Sequence, residues 1–505
     1  MYKALMIQGI GSGAGKSLIV TALCRIFKDE GISVAPFKAQ NMALNSYITI
    51  EGGEIGRAQA LQAEAARIEP TVDMNPVLLK ASGEIGSQVI IHGKVHSTMK
   101  AKEYYSFKEA AWEAVKESFG RISKVYDLII MEGAGSPAEI NLMDVDIVNM
   151  KMARYARAPV ILVGDIDRGG VFASLYGTVK LLGRDSRRIK GFVINKFRGD
   201  IEILSPGLEM IKDRTGKPVI GVLPYIKNIG LPEEDGLVIN HSRSLESKIQ
   251  DSSCEKLRIV IVKLQYISNF TDFDPFLHEP DVELLYSANP AEIENADIVI
   301  IPGTKNTVKD LEFLRDSGLQ KSILKAYMKG VQIIGICGGY QILGKKIYDP
   351  YRVESGCKEI NGIGLLNIET IFEKTKITAR VEAEVKASAF NLQPSMLLRG
   401  YEIHMGKSEG DIGLFKINRL NHSNSSNYLL DGSMNGNCWG TYLHGIFEND
   451  EFRRAIINSA RKKKGLLPLG LILRYSEVKD RAIDSIASIV KDKLDMGFIW
   501  RLIRL

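Results

Sequence analysis

Lys3-Ala4-Leu5-Met6-Ile7-Gln8-Gly9-Ile10-Gly11-Ser12-Gly13-Ala14-Gly15-Lys16-Ser17 is a short apolar run that opens into glycines and closes on a lysine and a serine. The helical pattern Leu18–Phe27 comes directly after it. Strand, glycine-rich loop and helix in this order form a phosphate cradle. Bare backbone lets N–H groups face an anion, and the helix N-terminus adds its dipole. Gly9, Gly11, Gly13 and Gly15 are the candidate phosphate-binding positions. Lys16 is placed to reach the β/γ-phosphates, and the Ser17 hydroxyl to hold Mg²⁺. Working outward, the short apolar runs Leu128–Met131, Val160–Val163, Phe192–Ile194 and Val219–Val222 alternate with helical patterns at Leu18–Asp29, Gly56–Arg67 and Glu103–Phe119. Strands this short and this apolar, separated by helices, predict a parallel sheet covered on both faces. Functional loops then belong beyond the carboxyl ends of the strands.

The loop departs from the strict GxxxxGK[ST] pattern, which would need glycine at Ile10; here five residues separate Gly9 from Gly15. That variant resembles the loop of dethiobiotin synthetase and its relatives, which activate carboxylates. Partition and cell-division ATPases of similar type carry a second lysine near the start of the loop. Gly11 stands there in this chain, which argues against a mechanical ATPase. Downstream, Asp127–Met131 runs into Glu132-Gly133-Ala134-Gly135-Ser136-Pro137, similar to the Glu-Gly-Ala-Gly turn of the same enzymes. A carboxylate at that strand end suits a Mg²⁺ ligand. Asn195, at the end of Phe192-Val193-Ile194, is a candidate for the adenine edge.

The chain has 505 residues, 45% of them hydrophobic and 25% charged, which excludes disordered, collagen-like and short disulfide-scaffold proteins. At roughly 150 residues per domain, two to four domains are expected. Net charge is only +6, too dilute for a nucleic-acid partner. The five cysteines include no CxxC pair, so neither a zinc knuckle nor a disulfide framework is indicated. There is no signal-peptide pattern and no uncharged apolar run of ~18 residues, so no membrane span and a cytoplasmic location are expected. Texture turns polar and serine-rich from about Glu233 to Lys256, marking a boundary. The expected division is a ligase domain over 1–235, a linker over 236–256, a second α/β domain over 257–455 and a helical extension over 456–505. The basic, apolar end of that extension reads as a packed helix.

In the second half, Val331–Ile336 is a buried-strand pattern ending in Gly335-Ile336-Cys337-Gly338-Gly339-Tyr340-Gln341. One cysteine in a frame of small residues at a strand-to-helix turn is a nucleophile elbow, and the adjoining helix N-terminus favours a thiolate. Gly440-Thr441-Tyr442-Leu443-His444 ends another apolar strand in the candidate base. Cys337 and His444 stand in the chain order of class I glutamine amidotransferases. Backbone N–H groups of Gly303, in Pro302-Gly303-Thr304, and of Gly338 are candidates for an oxyanion hole. Most class I enzymes place a glutamate two residues beyond the histidine, where this chain has Ile446. Glu402 and Glu448 are the candidates to replace it.

A carboxylate-activating ATP domain joined to a cysteine–histidine glutaminase implies an amidotransferase: one half releases ammonia and the other activates its acceptor. Long strings make the resemblance narrower. They are Ala35–Ser46 (APFKAQNMALNS), Gly53–Ala60 (GEIGRAQA), Asp73–Pro76 (DMNP), Gly164–Ala173 (GDIDRGGVFA), Ile194–Asp200 (INKFRGD) and Gly400–His404 (GYEIH). With the Cys337 elbow, they resemble the cobyric acid synthases, glutamine-dependent amidotransferases of cobalamin biosynthesis, over essentially the whole chain. The resemblance implies ATP- and Mg²⁺-dependent amidation of the b, d, e and g carboxylates of adenosylcobyrinic acid a,c-diamide, with L-glutamine as nitrogen donor. It also implies that Cys337 is the glutaminase nucleophile and His444 its base. Gln40, Asn41, Asn45 and Arg57 become candidates to hold the corrinoid or its acyl phosphate, and Asp144 and Asp146 candidates for positioning it. Two alternatives stay open on sequence grounds: cobyrinic acid a,c-diamide synthase, and a nucleotide-binding regulatory protein with a degenerate glutaminase domain.

Overall fold

Alternation decides how the first sheet is covered. Along strand Lys3–Gly9, Ala4 and Met6 point into one apolar core while Leu5 and Ile7 point into another, so both faces are buried. The structure is a computed structural model that describes residues 3–81, 86–226, 229–231, 255–354, 356–390, 396–420, 428–471 and 473–503. The first sheet has the strand order Val219–Pro224, Ile189–Phe197, Val160–Asp165, Lys3–Gly9, Leu128–Glu132 and Val34–Phe37, all parallel. Five of these strands were legible as apolar runs; the sixth, Val34–Phe37, leads into the Gln40–Ser46 string. Pairing of Ile7 with Glu132 sets the Glu132 turn beside the phosphate loop. Between Val34–Phe37 and the helix Ala101–Val125 the chain adds a four-stranded sheet of Gln40–Met42, Val77–Ala81, Ser87–Ile91 and Lys94–Met99. It also adds a hairpin of Ser46–Ile48 with Glu54–Gly56.

The second domain is built on Val282–Ser287, Leu257–Val262, Ile298–Ile301, Gln332–Ile336, Cys438–Thr441 and Ser433–Asn435, parallel but for the last pair. Against it lies a mainly antiparallel sheet dominated by the long strands Ile368–Val385 and Leu397–Gly410.

The expected cut after residue 455 falls inside helix Asp450–Lys463. Phe452, Ile456, Ile457 and Ala460 from that helix are part of the second domain's core, and apolar spacing along one face binds it there. The last two helices go elsewhere. Tyr475–Lys493 and Met496–Ile503 return to the first domain, where Ile483, Ile486, Val490, Leu494 and Ile499 join the core beneath Leu5, Ile7, Ile19 and Leu23. Buried Arg25 pairs with Asp480 and Asp484. A Cβ at Gly221 would lie 2.4 Å from the Lys493 carbonyl oxygen, so the return needs glycine on the edge strand. The extension is thus the outer cover of the nucleotide domain. The linker expected over 236–256 falls mostly on 232–254, outside the described residues. Among the described residues, no helix is long and apolar enough to cross a membrane.

Candidate active site

The phosphate loop is held from three sides. Gly13 and Gly15 adopt positive φ of 71° and 97°, which turns the loop around the start of helix Lys16–Asp29. Lys16 Nζ donates to the Gly11 carbonyl at 2.8 Å and to that of Gly135 at 3.3 Å, bridging the loop to the Glu132 turn. Ser17 Oγ donates to Glu132 Oε1 at 2.9 Å. The same oxygen takes the Lys38 ammonium at 2.8 Å, and Gln62 Nε2 donates to Oε2. Burial opposes the charge on Glu132, but Lys38 and its other donors hold the carboxyl below its usual range. Carboxylate and serine hydroxyl therefore converge where a Mg²⁺ ion of a bound nucleotide would sit. One carboxylate, one hydroxyl and the ligand's own phosphates form a donor set that fits this metal. Lys38 belongs to the Ala35–Ser46 string but carried no assigned role in it. Its position is set by the strand Val34–Phe37, which ends one residue earlier.

Asn195 stands against the loop. Its Nδ2 donates to the Ala14 carbonyl at 2.9 Å, and a Cβ on Gly15 would overlap that nitrogen. The residue braces the cradle while lining the cavity beyond it. That cavity has a volume of about 1080 Å³ and is walled by Lys16, Ser17, Lys38 and Glu132 on one side and by Asp274, Leu277 and His278 of the second domain on another. Gln40, Asn41, Arg57 and Asp146 also reach its wall. Gln40 accepts from the Tyr104 hydroxyl at 2.6 Å, and Asn41 donates to Gln59 Oε1 at 2.9 Å. Asp146 receives the backbone N–H groups of Val148 and Asn149, and Asn149 in turn fastens Ala134.

Two expected substrate residues are placed otherwise. Asp144 is exposed on the turn Met143–Val145, outside the cavity wall. Asn45 is fully buried and does not line the cavity, because its neighbour Ser46 is drawn into the contact between the domains.

In the second domain, strand Gln332–Ile336 meets helix Gly338–Leu343 at Cys337, which is forced to φ 53° and ψ −107°. Such strain is tolerated because the glycines around it pack tightly. A Cβ on Gly339 would lie 2.0 Å from the Ile301 carbonyl, and one on Gly338 would lie 2.6 Å from Thr304 Cγ2. Gly338 faces a small cavity of about 100 Å³ shared with Cys337, Gln341, Lys305 and Glu354. Gly303 lies instead against the His444 ring, 3.2 Å from Cε1 to an ideal Cβ, and its carbonyl accepts from Ser268 N.

His444 Nδ1 meets the carboxylate of Asp272 at 2.6 Å, and Asp272 Oδ1 also accepts from Gly445 N at 3.1 Å. The carboxylate that holds His444 is thus Asp272; neither Glu402 nor Glu448 reaches the ring. Strand alternation puts Glu402 with His404 on the face opposite Tyr401, where it also pairs with Arg419. Glu448 is held by Arg57 at 2.6 Å and Lys479 at 3.4 Å. Burial would keep the His444 ring neutral, but the Asp272 carboxylate and then the charge of Cys337 raise it to about 10. The imidazolium is the form of the ring that this favours. Asp272 lies in a short turn, Phe270–Phe273, with Asp274 two residues on, and spacing alone gave no reason to prefer either.

The two sites meet at Ser46. Asn269 Oδ1 accepts from Ser46 N at 3.0 Å, while its Nδ2 stands 3.5 Å from the His444 ring nitrogens. The Tyr401 hydroxyl donates to the Ser46 carbonyl at 3.3 Å, and its ring stacks on His444 with centroids 5.2 Å apart. Close by, Glu54 of the first domain binds Lys80 at 2.6 Å and Lys376 of the second at 2.5 Å. Lys376 also lines the Cys337 cavity.

A phosphate-loop domain docked on a domain that gathers a cysteine, a histidine and an aspartate has the layout of a nucleotide-dependent glutamine amidotransferase. Family profiles agree. The CobQ/CobB/MinD/ParA nucleotide binding domain matches residues 5–239, and the CobB/CobQ-like glutamine amidotransferase domain matches residues 258–452. Proteins named cobyric acid synthase from Thermodesulfovibrio yellowstonii and Thermoanaerobacter sp. (strain X514) are 51% and 50% identical, over 99% of this chain and 99% of theirs. One from Syntrophobacter fumaroxidans is 45% identical over 100% of this chain and 99% of its own. The chain belongs to the cobyric acid synthase family, the glutamine amidotransferases of cobalamin biosynthesis. Neither alternative from the sequence matches the name these relatives carry.

Proposed function

We propose that the chain amidates the b, d, e and g carboxylates of adenosylcobyrinic acid a,c-diamide, with ATP and L-glutamine, to give cobyric acid. In the second domain the Cys337 thiolate attacks the side-chain amide carbon of glutamine. His444, held by Asp272, gives its proton to the departing nitrogen, which leaves as ammonia. Water, giving a proton to His444, then cleaves the thioester, which regenerates the Cys337 thiolate and releases glutamate. The amide N–H of Gly338 supports the oxyanion.

In the first domain Gly9, Gly11, Gly13, Gly15, Lys16 and Asn195 shape the nucleotide site. A carboxylate oxygen of the corrinoid takes the γ-phosphoryl group, ADP leaves, and ammonia displaces phosphate from the acyl phosphate to form the amide. Mg²⁺, held by Ser17 and Glu132, would supply charge neutralisation on the phosphates. Lys16 and Lys38 place two cations at the same point. Gln40, Asn41, Arg57 and Asp146 line the space for the corrinoid.

The observation that carries the reading is the pairing of the Cys337–His444–Asp272 site with the Lys16–Ser17–Glu132 site in one chain. Cys337→Ala tests it. Glutamate release and glutamine-dependent amidation should vanish while ammonium-driven amidation persists. Glutamine-dependent turnover left intact would remove Cys337 from its role.

A further inference from the structure

The small cavity beside Cys337 carries charges that the hydrolysis steps leave unused. Lys305 and Lys376 line part of its wall, and Glu354 lines another part. Behind the lysines lies Glu54, from the Gly53–Ala60 string of the first domain, which pairs with Lys80 at 2.6 Å and with Lys376 at 2.5 Å. Burial opposes its charge, but Lys376, Lys80 and Lys305 hold its carboxyl well below the usual range. One carboxylate thus answers three lysines, and among the described residues no carboxylate is paired with Lys305. Burial, and then the charges of Lys80 and Lys376, push the Lys305 ammonium well below its ordinary value.

Glu354 shows the opposite shortage. Its Oε2 accepts from Thr307 N at 2.7 Å, and among the described residues no cation is paired with it. Burial raises its carboxyl to about 7. A buried charge of either sign is costly without its counter-charge, so a guest that brings both signs relieves both shortages. The head group of an α-amino acid is such a guest, with a carboxylate and an ammonium on one carbon. The charge of Lys305 is felt at Glu354, and that of Cys337 at Lys376, so cations, carboxyl and nucleophile share one small space.

We propose that Lys305 and Lys376 bind the α-carboxylate of glutamine and Glu354 its α-ammonium, in a pocket that the first domain completes; this rests on the function proposed above. Glu54 grips Lys376 from the first domain, and Gln88 of the same domain accepts from Lys376 Nζ at 3.0 Å while lining the cavity. Both are positioning residues: the ligase domain aims a lysine at the substrate of the glutaminase. The arrangement also sets specificity. A primary amide on a corrinoid carries no such head group, so it leaves these charges unanswered and is not hydrolysed.

Lys305→Met and Glu354→Gln each remove one charge at similar size, and two simpler amides remove the matching charge from the substrate. γ-Aminobutyramide lacks the α-carboxylate of glutamine, and glutaramate lacks its α-ammonium. The measurement is kcat and KM for hydrolysis, followed by the acid formed, in the full chain with ATP and corrinoid, beside ammonium-driven amidation as a check on the ligase site. Lys305→Met should raise KM for glutamine at least about tenfold with kcat within about threefold, and leave kcat/KM for γ-aminobutyramide within about threefold. Glu354→Gln should do the same, with glutaramate as the unaffected substrate. Gln88→Leu should raise KM for glutamine by about threefold or more at little change in kcat, with ammonium-driven amidation kept. Variants in separate segments keep the test open should one fail to fold. Unchanged KM for glutamine in the folded variants would overturn the pocket. So would equal loss on glutamine and both simpler amides, which would leave these residues a purely structural role. Absence of Cys337-dependent glutamate release in the unsubstituted chain would defeat the underlying reading, and is recognised before any variant is made.

Discussion

Replacing Asp272 by asparagine keeps the shape of the turn and removes the charge that holds His444. The bond broken is 2.6 Å long between two buried groups. Loss of one partner from a buried charge pair costs about 3–5 kcal/mol. At about 1.4 kcal/mol per factor of ten, glutaminase kcat should fall by roughly two to three and a half orders of magnitude if most of that cost is felt in the reaction. The pH profile carries a second signature. His444 is raised to about 10, and its protonated form is the one that donates to the leaving nitrogen. Activity in the unsubstituted chain is therefore lost as pH rises through about 10, and with the carboxylate gone that alkaline limb should move down toward 6.5, the ordinary histidine value. Glutamate release measured from pH 6 to about 10.5, with ammonium-driven amidation as control, reads both effects. A change within about threefold with the alkaline limb unmoved would refute Asp272 as the orienting group, the more so if Glu402→Gln or Glu448→Gln reproduced the loss.

Lys16→Ala should abolish amidation with either nitrogen source, because the bridge from Gly11 to Gly135 and the phosphate cation go together; amidation at the unsubstituted rate would refute the loop's role. Ile483→Ala, fully buried under the first domain's sheet, should cost about 2–5 kcal/mol in thermal or urea unfolding of that domain, whereas a loosely attached extension would show no change. Glu448 resists burial through Lys479 and Arg57, which lower it to about 2. Its folded value lies below its ordinary 4.5, so its stabilisation is complete above that pH and is lost as pH falls toward 2. The gap in urea midpoint between the unsubstituted chain and Glu448→Gln should close over that range; a gap independent of pH would contradict the pairing.

Much of this architecture was written in local pattern. The strand at Lys3–Gln8, its glycine loop and the Cys337 elbow each arise from period, glycine placement and a strand-to-helix turn, and buried strands announce themselves as apolar runs. Asp272 did not, because a triad partner is fixed by how two distant turns meet across the sheet ends, and no spacing encodes that. Val34–Phe37 was missed for another reason: four residues with a proline carry too little apolar signal to be told from a loop. The C-terminal helices showed their amphipathic pattern but not their address, since the face they cover lies in the other domain. Asn45 read as a ligand residue because an exposed and a buried amide look alike in sequence.

Incubation with ATP, Mg²⁺ and glutamine on two corrinoids, adenosylcobyrinic acid a,c-diamide and cobyrinic acid without amides, tests the central claim most directly, with products resolved by mass. Conversion of the a,c-diamide to cobyric acid, with glutamate and ADP formed in step and dependent on both Cys337 and Lys16, is the predicted result. Activity confined to the fully acidic corrinoid would contradict it.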